Sequence, residues 1–523
     1  KNQCLRTFID VKTSTLSPNA YRPKNSKVPL EEGAQRLIIA TCEKGTVEDV
    51  GEMRVIKGQL DAVKKANPNF AEIAAREAFR LRPVPVVADP PPRLLLTRAQ
   101  RRRAELLKRR AQLRIGIPRV LNMYSLAPLF TSYFLALGIK PNNIVFSDYT
   151  TQQLYRDGIK RAAIDPCFPS KLGIPHVHNL LFVHHAKRPL DLIFFPMIDD
   201  LPSDLRYTQG CRACPTVTAT PEAVKAAFTK EGDLFKERGV QYINPILNPA
   251  QPELFERQMY QQFVNIFGLT AEENRRAVQQ AYRALDEFQN VTLRRAAREV
   301  LDQLEREDRL GIVVLGRPYH NDPGVNHEIL EEFQKLGYPI FTQDSLPLDG
   351  DVLERLFGEE VRRGIIRHPL DISDVWKNSY SENTSRKIFA AKYVARHPNL
   401  VALELSSFKC GHDAPIYSTV EEIVEQSGTP YFCFKDIDEN KPSGSIKIRV
   451  ETISYFLERY REQMIARKAK QAELERRLAE YEQWLRERAS KGLQASQAPE
   501  RGAPPQIHIP TEELEGSALT LTR

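Results

Sequence analysis

Short apolar runs alternate with longer, more polar segments over most of this chain, and the alternation comes in two blocks. The runs are residues 115–121, 143–146, 190–195 and 241–246 in the first block and 311–315, 338–342, 399–405 and 430–434 in the second. The intervening segments are long enough for crossover helices, which is typical of parallel sheets. We therefore predict an α/β protein with two doubly wound, Rossmann-like parallel-sheet domains.

The rest of the chain separates these blocks by composition. Residues 82–92 are rich in proline, residues 93–114 hold nine basic side chains against one acid, and the carboxyl-terminal end is charged and then rich in Gln and Pro. In the leading region we predict a strand at 36–41 and a helix at 47–64. The predicted segments are a connecting region (1–92), a basic helix (93–114), two α/β domains (115–270 and 310–460), a helical connector (271–309) and a charged helix with a mobile tail (461–523).

Composition excludes several classes of protein. The net charge is only +8, with 75 basic and 67 acidic side chains, so nucleic acid is not an expected partner, and the basic helix is more typical of a solvated surface. The apolar runs are shorter than the roughly 20 residues that cross a membrane. Seven cysteines are too few for a secreted disulfide framework, so we predict a protein of the reducing cytoplasm. The first residues contain neither a starting methionine nor a signal peptide, which suggests a fragment.

Four cysteines fall in loops after separate apolar runs. Cys410 follows 399–405 and precedes a glycine, Cys167 lies between two prolines, and Cys211 and Cys214 form a Cys-x-x-Cys pair. Loops at the carboxyl ends of strands are where α/β proteins bind ligands, and thiolates bind metals. The pair could equally be a dithiol or half of a zinc site, although the sequence has no matching second pair.

The other three cysteines favour structural roles. Cys433 lies inside an apolar run and is predicted to be a small buried hydrophobe, while Cys4 and Cys42 lie outside both blocks. Among the histidines, His176 and His178 would face one side of a strand, or would both turn toward Cys167 in a loop. Arg317 and His320 follow the run at 311–315, where an arginine could pair with a phosphate or a carboxylate.

Several ordered motifs then match a known family. They are GIPRVLNMY (116–124), CFPSK (167–171), GRPYH (316–320), FKCG (408–411) and FKDIDE (434–439), with RTFIDVK (6–12) and CEKG (42–45) before them. Over about residues 1–460 the chain resembles the activase-related proteins of the 2-hydroxyacyl-CoA dehydratase system. The similar part is the dehydratase-subunit-like region that follows their ATPase domains.

The resemblance implies an iron-sulfur protein with a 4Fe-4S or double-cubane cluster. Carried over by position, the ligand candidates are Cys167 and Cys410, then Cys214, with Cys211 as its neighbour. The groups expected to surround the cluster or substrate are His176, His178, Arg317, His320 and His412. A histidine two residues after Cys410 would hydrogen-bond a cluster sulfide and tune its potential.

The resemblance also implies partners. No Gly-x-x-x-x-Gly-Lys-Ser/Thr loop is present, so the ATPase that energises electrons is expected on another chain or segment. We predict an oligomeric electron-transfer component of anaerobic metabolism that takes electrons from an ATP-dependent activase and delivers them to an acyl-CoA dehydratase. The alternatives are the catalytic dehydratase or reductase-like subunit itself, acting on an acyl-CoA substrate, a cluster-free scaffold, and a zinc-stabilised binding module.

Overall fold

The computed structural model describes residues 6–12, 34–40, 50–89, 97–161, 167–407 and 409–492. Its strands are β1 (Arg6–Lys12), β2 (Ala34–Ala40), β3 (Ile115–Ile117), β4 (Ile144–Phe146), β5 (Leu192–Phe194), β6 (Met197–Ile198), β7 (Gln241–Ile243), β8 (Ile246–Leu247), β9 (Gly311–Leu315), β10 (Ile340–Thr342), β11 (Leu400–Leu405) and β12 (Tyr431–Phe434). Cys4, Cys42 and the predicted mobile tail beyond residue 492 lie outside the described residues.

The helices fall between these strands as the alternation predicts. They are α1 (Val50–Ala66), α2 (Phe70–Ala78), α3 (Arg98–Arg110), α4 (Met123–Ala136), α5 (Gln152–Gly158), α6 (Phe168–Lys171), α7 (Gly173–Asn179), α8 (His185–Lys187), α9 (Pro215–Thr229), α10 (Leu234–Glu237), α11 (Pro252–Phe267), α12 (Ala271–Asp286), α13 (Ala296–Arg306), α14 (Ile329–Lys335), α15 (Gly350–Arg362), α16 (Glu382–Arg396), α17 (Tyr417–Glu425) and α18 (Ser443–Gly492).

Two four-stranded parallel sheets form the framework and confirm the predicted fold class. The first sheet has the order β4-β3-β5-β7, and the second has the order β10-β9-β11-β12. Both orders place the first strand of the block between the second and the third. The order therefore reverses beside the first strand of each block, and such a switch point leaves a crevice at the carboxyl edge of the sheet.

The strands form where the chain can be buried on both faces. β9 (GIVVL) and β11 (LVALEL) are buried at every position, as expected for central strands of a parallel sheet covered by helices. Phe130, Phe134, Phe194 and Phe263 pack edge-on or tilted against one another beside the first sheet. Each sheet thus has its own apolar core.

The charged connector between the two blocks is helical, and it begins with a strong capping signal. Thr270 accepts a hydrogen bond from the Glu273 amide, and the Glu273 carboxylate accepts one from the Thr270 amide, so α12 starts with a capping box. Arg103 and Arg110 of the basic helix α3 also bind Glu273, at 2.9 and 3.2 Å. Part of the basic helix is therefore paired with a buried acid.

The leading region differs from the prediction in two respects: the helix α2 (Phe70–Ala78) was not predicted, and the predicted strand has a partner. The strand predicted at 36–41 is present as β2, but it pairs in antiparallel fashion with β1, a strand that the sequence reading missed. The β-branched and aromatic residues of RTFIDVK (6–12) are typical of a strand, but they were interpreted only as a family motif. Compact packing divides the chain between Ser454 and Tyr455, inside α18, and the predicted segment boundaries stay a prediction. Among the described helices, none combines the length and apolar composition that crossing a bilayer requires.

Candidate functional site

The carboxyl edges of the two sheets meet in one layer of hydrogen-bonded loops. Asp322, after β9, accepts hydrogen bonds from the hydroxyls of Tyr124 and Thr150, each at 2.5 Å. Tyr124 lies on α4, which follows β3, and Thr150 follows β4. An added Cβ on Gly324 would come within 2.3 Å of the Thr150 carbonyl oxygen. Only glycine therefore allows this close approach between the edges of the two sheets.

Cys410 lies at the switch point of the second sheet. Its loop follows β11, and the loop that begins with Arg317 follows the neighbouring strand β9. The Cys410 amide donates to the Ser407 carbonyl at 2.8 Å, and the Cys410 carbonyl accepts from the amides of Asp413 and Ala414. These backbone bonds form a tight turn that holds the half-buried thiol beside the crevice.

A buried chain of alternating charges supports this turn. Arg317 donates to Asp413 at 2.6 Å, and Lys387 lies 2.9 Å from Asp413 and 3.0 Å from Glu404. The Tyr431 hydroxyl also donates to Glu404. We name Arg317, Asp413, Lys387 and Glu404 the charged ladder. Its two cations and two anions are all 3% exposed or less, so each charge depends on its neighbours.

The ladder fixes the protonation of Asp413. Burial alone would raise the pKa of this carboxyl, but the charges of Arg317 and Lys387 and a hydrogen bond from Ser406 lower it well below its usual range. Asp413 is therefore a carboxylate at neutral pH. It anchors the Cys410 turn through its own backbone amide and holds Arg317 through its side chain.

Cys167 reaches the same place from the first block. It immediately precedes α6, and its thiol donates to the Ser170 hydroxyl at 3.4 Å. Burial raises the pKa of Cys167, the Cys214 thiol raises it further, and Arg317 opposes both. Burial and Asp413 likewise raise the pKa of Cys410, and Arg317 again opposes them.

Tyr319 is influenced electrostatically by both thiols. Burial raises the pKa of Tyr319 well above its usual range, Arg317 opposes this, and the thiols of Cys410 and Cys167 both contribute to the rise. Cys167 and Cys410 come from loops of different sheets, yet both act on Arg317 and Tyr319. The two cysteines are thus carried by loops of different sheets whose carboxyl edges meet.

Arg317 carries hydrogen-bonding capacity that the described residues do not use. Its Nη2 binds Asp413, but its Nε and Nη1 are buried without a hydrogen-bond partner among the described residues. The side chain is only 1% exposed. Unpaired buried donors are costly, and a guanidinium beside thiols would bind an anionic ligand well.

The Cys-x-x-Cys pair has two different environments. Cys214 lies directly before α9, at the positive end of the helix dipole, and acts electrostatically on Cys167. Cys211 faces acids instead, because burial and the charges of Asp200 and Glu382 raise the pKa of its thiol to about 11. Of the two, Cys214 is the better candidate to share a ligand with Cys167.

The histidines beside Cys167 differ from both predicted conformations. His176 and His178 lie on helix α7, not on a strand or in a loop, so they point to different sides. His176 is fully buried between the hydroxyls of Ser147 (2.7 Å) and Thr150 (3.0 Å), and burial lowers its pKa to about 3. His178 stacks on Phe182. These contacts give both histidines structural roles. The prediction missed this because it did not include helix α7, on which both residues lie.

Two other predicted histidines lie in the loops of the second sheet. The His320 Nδ1 accepts a hydrogen bond from the Arg317 amide at 2.9 Å, and burial and Lys387 lower the pKa of His320 to about 3. His412 lies 3.0 Å from the Ser381 hydroxyl, and burial and Arg317 lower its pKa. Both rings are neutral at neutral pH. His320 therefore fixes the backbone that carries Arg317.

Four buried polar residues of the site were missed in the sequence. They are Asp322, Lys387, Glu404 and Asp413. Glu404 did leave a signal, because a carboxylate inside the apolar run LVALEL requires a buried partner. The sequence gave no signal for Lys387, because Lys387 lies on α16 and its partner Glu404 lies on β11, 17 residues further along the chain.

Two further observations limit what the site can hold. Among the described residues, no three His, Cys, Asp or Glu side chains are close enough together to bind a single metal ion. Tyr124, Thr150, Tyr319 and Asp322 line a narrow cavity that is too small to hold a water molecule. Cys433 is half-buried on β12, not fully buried as predicted.

Comparison with known proteins supports an activase-type relation. The family model described as CoA enzyme activase uncharacterised domain (DUF2229) matches residues 114–346, which is less than half of the chain. The match runs from the residue before β3 to the loop after β10, so it includes Cys167, Cys211, Cys214 and Arg317 but not Cys410. None of the curated proteins matches the chain.

Proposed function

We propose that this chain is an iron-sulfur electron-transfer component that works with an ATP-dependent activase. In the proposal Cys167, Cys214 and Cys410 hold a 4Fe-4S cluster in the crevice between the two sheets. The observation that carries it is the meeting of the two carboxyl edges, to which loops of different sheets bring Cys167 and Cys410. The match to an activase domain supports the same system of enzymes.

The donor set suits a cluster better than a single ion. Thiolates are the ligands that iron-sulfur clusters require, and a cubane keeps its cysteine ligands farther apart than one zinc ion does. Cys211 is the weakest of the four cysteines because its acidic surroundings oppose a thiolate.

The charge balance of the crevice also fits an anionic cluster. Burial raises the pKa values of Cys167 and Cys410, so their deprotonation must be offset by metal binding and by a nearby cation. Arg317 is that cation, and its Nε and Nη1 donors, which bind none of the described residues, could donate to cluster sulfides or thiolates. Hydrogen bonds to sulfur and burial are two of the factors that set a cluster's potential.

The bound cluster would supply one-electron transfer at low potential. The residues of this chain would exclude water from it, hold the Cys410 turn through Asp413, and keep Arg317 in place through His320 and Asp413. The known phosphate loops are missing from the sequence, so ATP hydrolysis is assigned to the activase partner. An acyl-CoA dehydratase is the proposed electron acceptor.

The catalytic alternative has one observation in its favour. Burial raises the pKa of Asp322, against the hydrogen bonds from Thr150 and Tyr124, so its carboxyl can carry a proton beside a cavity. The cavity beside Asp322 has no room even for a water molecule, whereas the pockets that hold organic ligands measure roughly 300 Å³ or more. A coenzyme A thioester does not fit there, so electron transfer remains our proposal.

Metal analysis of the whole chain tests the proposal. The protein is purified and reconstituted without oxygen, and iron, acid-labile sulfide and zinc are measured together with the visible spectrum. We expect iron and sulfide in equal amounts, about four of each per chain, with a broad absorption that bleaches on reduction. Stoichiometric zinc would favour the zinc-stabilised module, and a metal-free, colourless protein would favour the scaffold.

A further inference from the structure

The distal part of α18 carries an apolar stripe of its own. Gln471, Leu474, Leu478, Tyr481 and Leu485 follow one another at alternating spacings of three and four residues, which are the a and d positions of a heptad repeat. Leu474, Leu478 and Leu485 are 45, 48 and 45% exposed. We name these five residues the distal stripe. Such a seam is typical of a helix that packs along a second helix.

The charges beside the distal stripe indicate which helix that is. With Leu478 at position a, Lys470 and Arg477 take g positions, while Glu475 and Glu482 take e positions. In a parallel pair of identical helices, each g side chain faces the e side chain of the next heptad on the other helix. Lys470 would then face Glu475 of the partner subunit, and Arg477 would face Glu482 of the partner subunit.

Every one of these pairs is attractive in the parallel arrangement. In an antiparallel pair, e positions face e positions and g positions face g positions, so Glu475 and Glu482 would face acids and Lys470 and Arg477 would face bases. Like charges held opposite each other destabilise an assembly. The order of charges along α18 therefore matches a second copy of itself in the parallel orientation.

We propose that a second copy of this chain covers the distal stripe and forms a parallel, two-stranded coiled coil over residues 471–485. The contact spans about two heptads, so we expect a dimer that dissociates on dilution. This inference is independent of the cluster and of the activase partner.

Sedimentation velocity of the full chain over a range of concentrations tests the proposal. We expect a monomer–dimer equilibrium in the parent protein. Leu474→Glu with Leu478→Glu places four charges in the seam of each dimer and should weaken dimerisation more than about a hundredfold. Ala472→Glu with Ala479→Glu adds the same charges at exposed positions outside the seam and should leave the dissociation constant within about threefold.

A charge reversal tests the orientation. Arg477→Glu should weaken the dimer about tenfold, and Arg477→Glu combined with Glu482→Arg should restore it. Arg476→Glu makes the same change on the outer face as a control. Circular dichroism of each variant checks that α18 stays helical. A parent monomer at all concentrations, a dimer that tolerates the double leucine substitution, or a dimer that Arg477→Glu strengthens would overturn the proposal.

Discussion

The two sheets support their loops in opposite ways. At the edge of the first sheet His176 is neutral and held between two hydroxyls, whereas at the edge of the second sheet the charged ladder places four buried charges in a row. Both edges present a cysteine to the crevice. A neutral network tolerates the loss of one member, but a buried ladder leaves an uncompensated charge when it is broken. Removing one member should therefore destabilise the second edge more than the first.

The largest difference between the edges should appear on deleting one acid. Asp413→Ala leaves Arg317 and Lys387 without their shared counter-charge and should lower the free energy of unfolding by about 3–5 kcal/mol. Ser147→Ala removes one hydroxyl from the neutral network and should cost about 1–3 kcal/mol. Chemical denaturation measures both. Equal losses would mean that the two edges are not supported differently.

The contact between the edges depends on Gly324. Gly324→Ala places a methyl group within 2.3 Å of the Thr150 carbonyl oxygen, and the forced separation should cost about 1–3 kcal/mol of folding free energy. Gly350→Ala is the control, because a Cβ there meets nothing within 4 Å. Thermal unfolding compares the two variants. A Gly324→Ala protein as stable as the control would show that the edges are not in close contact.

Acid should weaken both edges through their buried histidines. Burial and Arg119 lower the pKa of His176 to about 3, and burial and Lys387 lower that of His320 to about 3. Because the unfolded chain binds these protons near pH 6.5 and the folded chain does not, stability falls as pH drops below 6.5.

The expected loss is about 1.4 kcal/mol per histidine between pH 7.5 and 5.5. Urea denaturation at both pH values measures it. His176→Gln should make the dependence shallower, and Ser147→Ala, which keeps the histidine, should not. A parent protein whose stability is equal at the two pH values would contradict the assignment of neutral, buried rings.

The smallest effect is expected where the edges are joined by a partly exposed ion pair. Lys171, on α6, lies 3.2 Å from Glu439, after β12, and the carboxylate side chain is 31% exposed. A double-mutant cycle with Lys171→Met and Glu439→Gln should give a coupling of less than about 1 kcal/mol. A coupling energy as large as the roughly 3–5 kcal/mol expected for Asp413→Ala would contradict the distinction between buried and exposed ion pairs.

Much of the framework could be predicted because the short buried strands consist of continuous apolar residues in the sequence. β9 matches its predicted bounds, β4, β10, β11 and β12 begin one or two residues later than predicted, and β3, β5 and β7 end earlier. The loop positions of Cys167 and Cys410 followed from the same alternation. The charged ladder that supports the Cys410 turn could not be predicted. Its contact between Lys387 and Asp413 forms only when the tertiary fold brings these two residues together. The conformation of His176 and His178 was predicted wrongly, because helix α7 was not predicted.

Iron and sulfide content across four cysteine variants tests the central claim, that thiols from both sheets hold one cluster. Cys167→Ser and Cys410→Ser replace one thiol on each side of the crevice, Cys211→Ser removes the thiol with acidic neighbours, and Cys433→Ser is a control on β12. We predict that the first two lose most of the iron and sulfide and that the last two keep it. Full iron in either Cys167→Ser or Cys410→Ser, with the protein folded, would contradict a cluster shared between the sheets.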